Sequence, residues 1–90
     1  MNDVPDERER VRGRIADAVI AFVREHPGQF HMSGLLAFVA SRMGRFVAPD
    51  SPSRILRALA ADGVVAYRVV SRRHSLYTAI VLPQQRSLAL

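Results

Sequence analysis

The chain has 90 residues, of which 49% are hydrophobic and 23% are charged, and its formal net charge is +5. A chain of this length buries roughly 60% of the surface that its unfolded form exposes, which suffices for one thin core and excludes a two-domain enzyme. The sequence contains no cysteine, so disulfide scaffolds, zinc fingers, iron–sulfur sites and thiol nucleophiles are excluded. The high apolar fraction also argues against global disorder.

The positive charge is carried by arginine alone and is unevenly placed. Residues 1–30 hold five arginines and six acids, whereas residues 31–90 hold eight arginines and two acids, a net of +6. Guanidinium groups are planar forks that suit phosphates and guanine edges. A basic half on a small domain predicts a polyanionic partner. Nucleic acid is the favoured candidate, and an anionic surface is the second.

No targeting or membrane segment is predicted. The first 14 residues are polar and charged, unlike a secretory signal. The apolar stretches are far shorter than the roughly 20 residues of a spanning helix. We therefore expect a cytoplasmic protein with no membrane partner.

The first element is predicted to be a long helix that Pro27-Gly28 ends. Its charged start, residues 6–14, interleaves acids with arginines and favours a solvated helix face over a basic arm. Residues 1–7 are expected to be an N-terminal extension. Apolar residues recur every three or four positions on one face: Val11, Ile15, Ala18, Val19, Phe22 and Val23.

A short link and a second helix come next. Phe30 and Met32 alternate and predict a brief strand. Ser33 offers an N-cap hydroxyl to the following helix, and Gly44 is its expected stop. The apolar face of this helix is predicted to comprise Leu35, Leu36, Val39, Ala40 and Met43.

The triplet Asp50-Ser51-Pro52 is the clearest local indication in the chain of where a helix begins. Either Asp50 or Ser51 can cap, and proline is well suited to a first helical turn. The third helix is predicted from about Pro52 to Asp62, with Gly63 as a positive-φ stop. Its core face is expected to hold Ile55, Leu56 and Leu59.

A β-hairpin is predicted to close the fold. The β-branched runs 64–70 and 76–82 are joined by the polar, cationic link 71–75. Pro83 ends the second strand, and residues 83–90 are expected to form a flexible tail. Two inward faces remain open for the first strand: Val65, Tyr67 and Val69, or Val64, Ala66 and Val70.

The segment from Ser51 to Leu82 resembles the winged helix–turn–helix superfamily of transcription regulators. A capped helix with S-R-I-L-R-A-L is followed by A-A-D-G-V-V and then by Y-R-V-V-S-R-R-H-S-L-Y-T. The resemblance implies an α+β, mainly helical fold over residues 8–82, with three helices and a C-terminal β-hairpin wing.

The resemblance also implies double-stranded DNA binding by a small transcriptional regulator. The third helix would enter the major groove, where base edges are distinguishable. The wing would meet the backbone or a minor groove, and Arg68 would join from its first strand. The implied contact residues are Ser51, Ser53, Arg54, Arg57, Arg68, Arg72, Arg73 and His74.

Other residues are interpreted more conservatively. Tyr67 and Tyr77 are expected in the core, and the isolated cations Arg42, Arg45 and Arg86 are weaker contact candidates. His26, His31 and His74 do not form a metal set. No nucleophile–base pair or glycine-rich phosphate loop is present, so we expect no catalysis, cofactor or small-molecule ligand.

The rival hypothesis is a protein-interaction module, because folds of this kind also dock subunits in larger assemblies. Such a module needs an exposed apolar patch, whereas a DNA binder needs a continuous cationic face. A homodimer through the first helix is also expected, since one helix and one wing read few base pairs.

Overall fold

The computed structural model describes residues 7–44, 47–48 and 50–83. Residues 1–6 and 84–90 of the expected N-terminal extension and tail, together with Arg45 and Arg86, lie outside the described residues. The elements in chain order are α1 (Glu7–Glu25), β1 (Gln29–His31), α2 (Met32–Met43), α3 (Ser51–Ala61), β2 (Val65–Ser71) and β3 (Leu76–Val81). The prediction of an α+β, mainly helical fold with a C-terminal hairpin is confirmed.

The three strands form one antiparallel sheet in the order β1-β3-β2. The short β1 pairs Phe30 with Tyr77 of β3. The hairpin pairs Val65 with Val81 and Arg68 with Thr78, and a bulge interrupts the register between Val69 and Ser71. The sheet therefore ties the segment before α2 to the C-terminal hairpin.

The core lies between the three helices and one face of the sheet. Helix α1 packs on α2, α3 and β3, which accounts for its long apolar face. Val65 of β2 points inward, with Tyr67 half-buried, and this decides between the two strand faces that the sequence left open. The buried hydrophobic residues are Ile15, Ala18, Val19, Phe22, Val23, Phe30, Leu35, Val39, Met43, Ile55, Leu56, Val65 and Ala79.

The two glycine stops are where the sequence predicts them. Gly44 has a φ of 69° and donates its N–H to the Ala40 carbonyl. Gly63 has a φ of 79° and turns the chain from α3 into the hairpin. These left-handed conformations favour glycine because the Cβ of any other residue would crowd its own backbone carbonyl oxygen there, although the surrounding space is open.

The N-caps of α2 and α3 differ in part from the sequence prediction. Helix α2 begins at Met32 with His31 at its N-cap position, so Ser33 lies inside the first turn. The strand ladder sets this start, because the Met32 N–H donates to the Ser75 carbonyl at 2.9 Å. Asp50 occupies the N-cap position of α3 without a side-chain cap bond, since its carboxylate binds Arg54 instead.

None of the helices in the described part of the chain combines the length and apolar character needed to cross a membrane.

Candidate nucleic-acid interface

A groove of about 310 Å³ separates the start of α3 from the inner face of the hairpin. We call it the α3–hairpin groove. Four elements meet there: the first residue of α2, the first two turns of α3, strand β2 with the turn that follows it, and β3. Its lining consists of Met32, Ser53, Leu56, Arg57, Tyr67, Val69, Arg72 and Tyr77.

Two of the predicted contact arginines line this groove from opposite sides. Arg57 comes from α3, and Arg72 comes from the turn that follows β2. Both are exposed. The ion pairs between described residues involve other arginines, Arg42 with Glu25 and Arg54 with Asp50. Of the side chains that the structure describes, no acidic one lines the groove, so among them the two guanidinium groups have no neutralising carboxylate there.

The floor of the groove is aromatic and aliphatic. Tyr67 and Tyr77 are half-buried, with ring centroids 6.4 Å apart, and Tyr77 also stacks with Phe30 at 6.1 Å. Leu56 beneath them is almost fully buried. The tyrosines therefore pack against the core, as the sequence predicts. Their packed rings form the floor of the groove between Arg57 and Arg72.

The tip of the hairpin is anchored to the start of α2. His31 Nδ1 lies 3.0 Å from the His74 carbonyl and donates to it. The Met32 N–H donates to the Ser75 carbonyl, and the Ser75 N–H donates to the Arg72 carbonyl at 3.1 Å. These bonds fix the turn that carries Arg72 and Arg73.

His31 and Met32 were missed by the sequence argument. Their importance depends on pairing between β1 and β3, which are more than forty residues apart in the chain. The only sequence signal is the alternation around Phe30, which indicates a strand but gives no partner.

The remaining predicted residues of α3 lie outside the groove or on its rim. Ser53 is on the rim and donates its hydroxyl to the Asp50 carbonyl at 3.2 Å. Arg54 is exposed and paired with the Asp50 carboxylate. Ser51 is half-buried as the first residue of the helix.

The hairpin residues divide between the turn and the opposite face. Arg73 and His74 are exposed in the turn, and the His74 N–H donates to Ser71 Oγ at 3.3 Å. Arg68 lies on the other face of the sheet beside Ile80. The structure thus does not bring Arg68 to the groove, because strand alternation points it away from its neighbour Tyr67.

Arg42 is engaged elsewhere. Its guanidinium lies over the Phe38 ring at 5.0 Å and 3.9 Å from a Glu25 oxygen. Among the histidines, His26 Nδ1 lies 2.8 Å from the Phe22 carbonyl. Across the part of the chain that the structure describes, no three His, Asp or Glu side chains are grouped as metal ligands.

Comparison with family models, with curated proteins and with solved structures finds no match to this chain.

Proposed function

We propose that this protein binds double-stranded DNA as a small transcriptional regulator, with α3 in the major groove and the Arg72-Arg73 turn on the backbone or in a minor groove. The observation that carries the proposal is the α3–hairpin groove, which Arg57 and Arg72 enter from two different elements. An α-helix fits the major groove of B-DNA, where each base pair presents its own donor and acceptor pattern.

The charge distribution supports a polyanionic partner. The excess of arginine lies after residue 30. Two of these arginines, Arg57 and Arg72, line the groove, and no carboxylate of the described residues lies beside them there. Arginine forks bind phosphate oxygens in pairs. Arg73 extends the same cationic surface to the tip of the hairpin.

The preformed hairpin turn also supports the proposal. The bonds from His31 and Met32 hold it before any ligand arrives. Ordering a long side chain or loop on binding costs free energy, so a turn that is already fixed loses less. The backbone that carries the two arginines thus needs little further ordering on binding.

The test is the salt dependence of binding to a labelled duplex, followed by fluorescence anisotropy. About five phosphate contacts predict a slope of log K against log salt near −4 to −5. Arg72→Ala/Arg73→Ala is expected to reduce the magnitude of that slope by about 2. The control, Arg10→Ala/Arg14→Ala on α1, removes the same charge away from the groove and should leave the slope unchanged.

The proposal fails if the protein does not bind duplex DNA at low salt or if its affinity does not depend on salt. Base reading is tested separately by selecting preferred duplexes with the wild type and with Arg54→Ala. A changed preference would assign Arg54 to base edges, and an equal loss on all sequences would assign it to phosphate.

A homodimer through α1 remains a prediction. Most of the large apolar residues of α1, including Val19 and Phe22, are already buried in the core of the protomer. The residues that α1 exposes include Arg12, Arg14 and Asp17. A dimer contact on this helix would thus be mainly polar, and sedimentation at tens of micromolar concentration tests it.

The second candidate function, a docking module, rests on exposed apolar side chains of the hairpin. Ile80 is 53% exposed and Val70 39% exposed. Ile80 lies on the face of the sheet that points away from the α3–hairpin groove, so docking there and DNA binding do not compete for the same surface.

A further inference from the structure

Strand β2 lies at an edge of the sheet. Among the described residues, it pairs only with β3. The Leu82 N–H donates to the Val64 carbonyl at 2.9 Å, and antiparallel ladders alternate from there. The backbone groups of Ala66 and Arg68 consequently point to β3, whereas those of Val65, Tyr67 and Val69 point to the open edge.

The side chains beside this edge form what we call the outward face: Ala66 and Arg68 of β2 with Thr78 and Ile80 of β3. The register places Ala66 opposite Ile80 and Arg68 opposite Thr78. A shallow hollow of about 240 Å³ lies among them. Because Ala66 is small, a large side chain from a strand added beside β2 has room to lean across it onto Ile80.

The apolar exposure of the hairpin concentrates near this face. Ile80 and Val70 are the large hydrophobic side chains that stand exposed in the described part of the chain. Val70 sits at the bulge, which ends the regular edge after Val69. The usable edge is therefore the segment from Val65 to Val69.

The positive charge of Arg68 determines which kind of peptide segment can pair with the open edge of β2. Arg68 is exposed within the segment from Val65 to Val69, and β1, β2 and β3 contain no acidic residue. A second copy of β2 offers Arg68 no carboxylate in any register, and antiparallel pairing about Arg68 would set two arginines against each other, which destabilises cross-strand pairs. A carboxylate opposite Arg68 would instead form an attractive pair.

We propose that this protein binds an extended segment of a partner protein as a fourth strand beside β2. The segment carries an acidic residue opposite Arg68 and a large apolar residue, two positions away, opposite Ala66. Backbone bonds to Val65, Tyr67 and Val69 supply affinity, and these two side chains supply specificity. The two side chains that confer specificity lie on the face of the sheet that points away from the α3–hairpin groove, whereas the backbone edge borders Tyr67 and Val69 of that groove.

The experiment is a selection of short random peptides from a display library, run in parallel on the wild type and on Arg68→Glu. The wild type should enrich peptides with Asp or Glu two positions from Val, Ile, Leu or Phe. Arg68→Glu should enrich Lys or Arg at the acidic position. Against a fixed wild-type peptide, Arg68→Glu should bind about fivefold more weakly, since an attractive cross-strand pair becomes repulsive.

Strand addition is separated from simple surface contact by hydrogen exchange. The selected peptide should slow exchange of the Val65, Tyr67 and Val69 amides and leave Ala66 and Arg68 unchanged, because the latter already donate to β3. Methylating alternate peptide nitrogens should abolish binding. Arg57→Ala/Arg72→Ala should bind the peptide as the wild type does, so the test is independent of DNA binding.

Four results would overturn the proposal. They are no enriched peptide, enrichment that Arg68→Glu does not alter, binding without protection of the three edge amides, and a dimer of the free protein that buries this edge. Far-ultraviolet circular dichroism of Arg68→Glu checks that the exposed substitution leaves the fold intact.

Discussion

Tyr67 and Arg68 are neighbours in β2, yet they belong to two different surfaces. On the inner face, the hairpin and α3 enclose a groove with an aromatic floor and the two guanidinium groups of Arg57 and Arg72. On the outward face, Ile80 and a single arginine lie beside an open strand edge. An arginine in this hairpin is thus assigned to a surface by strand alternation and not by its nearness in sequence to other arginines.

The largest expected effect comes from the residue that supports the groove from below. Leu56→Ala removes a side chain that is 1% exposed, which should lower the free energy of unfolding by about 2–5 kcal/mol. Urea denaturation measures this loss. Arg54→Ala, on the exposed side of the same helix, should change it by no more than about 0.5 kcal/mol. Equal losses would contradict the assigned core.

The joint between α3 and the hairpin should show the next largest effect. Gly63→Ala places a Cβ at a φ of 79° and should destabilise the fold by about 1–2 kcal/mol. Gly13→Ala, inside α1 with no atom within 4 Å of the added Cβ, should stabilise it by about 0.5–1 kcal/mol. Thermal melting of both variants checks the opposite signs, and a stabilising Gly63→Ala would refute the strained turn.

The anchor of the hairpin tip should have a smaller, local effect. His31→Ala removes the donor to the His74 carbonyl, a bond worth about 1 kcal/mol at most on an exposed surface. We expect faster hydrogen exchange at the Ser75 amide. His31→Asn should restore slow exchange because its amide nitrogen lies near the place of Nδ1. Identical exchange in all three proteins would show that the bond does not hold the turn.

The smallest expected effect concerns the carboxylate that neutralises Arg54. Asp50→Asn breaks an exposed ion pair, so stability should change by less than about 0.5 kcal/mol. Affinity for duplex DNA at low salt should rise about twofold to threefold, because Arg54 loses its competitor. Unchanged affinity would remove Arg54 from the interface.

The local features of the fold were predictable from the sequence. Pro27-Gly28, Gly44 and Gly63 act through their own backbone preferences, and the periodicity of α1 and α3 marks their buried faces. The hairpin followed from two β-branched runs around a polar link. These signals need only a few neighbouring residues, which explains why the element order was correct.

What the sequence left open depends on contacts between distant elements. Both faces of β2 are apolar enough to be buried, and only packing against α3 selects Val65 and Tyr67. The N-cap of α2 lies at His31 and not at the predicted Ser33, because the Met32 N–H donates to the Ser75 carbonyl of the hairpin turn. The sequence grouped Arg68 with the turn residues Arg72 and Arg73, and the structure separates them. The face on which Arg68 lies depends on how β2 packs, which the chemistry of the arginine alone does not indicate.

The most direct test of the account compares two double variants with equal loss of charge. Arg57→Ala/Arg72→Ala removes the two cations of the α3–hairpin groove, and Arg24→Ala/Arg68→Ala removes two exposed cations outside it. Salt titrations of duplex binding should show a slope reduced in magnitude by about 2 for the groove variant. The control should keep the wild-type slope. Equal slopes in the two variants would contradict the account, because the groove would then contribute no more than net charge.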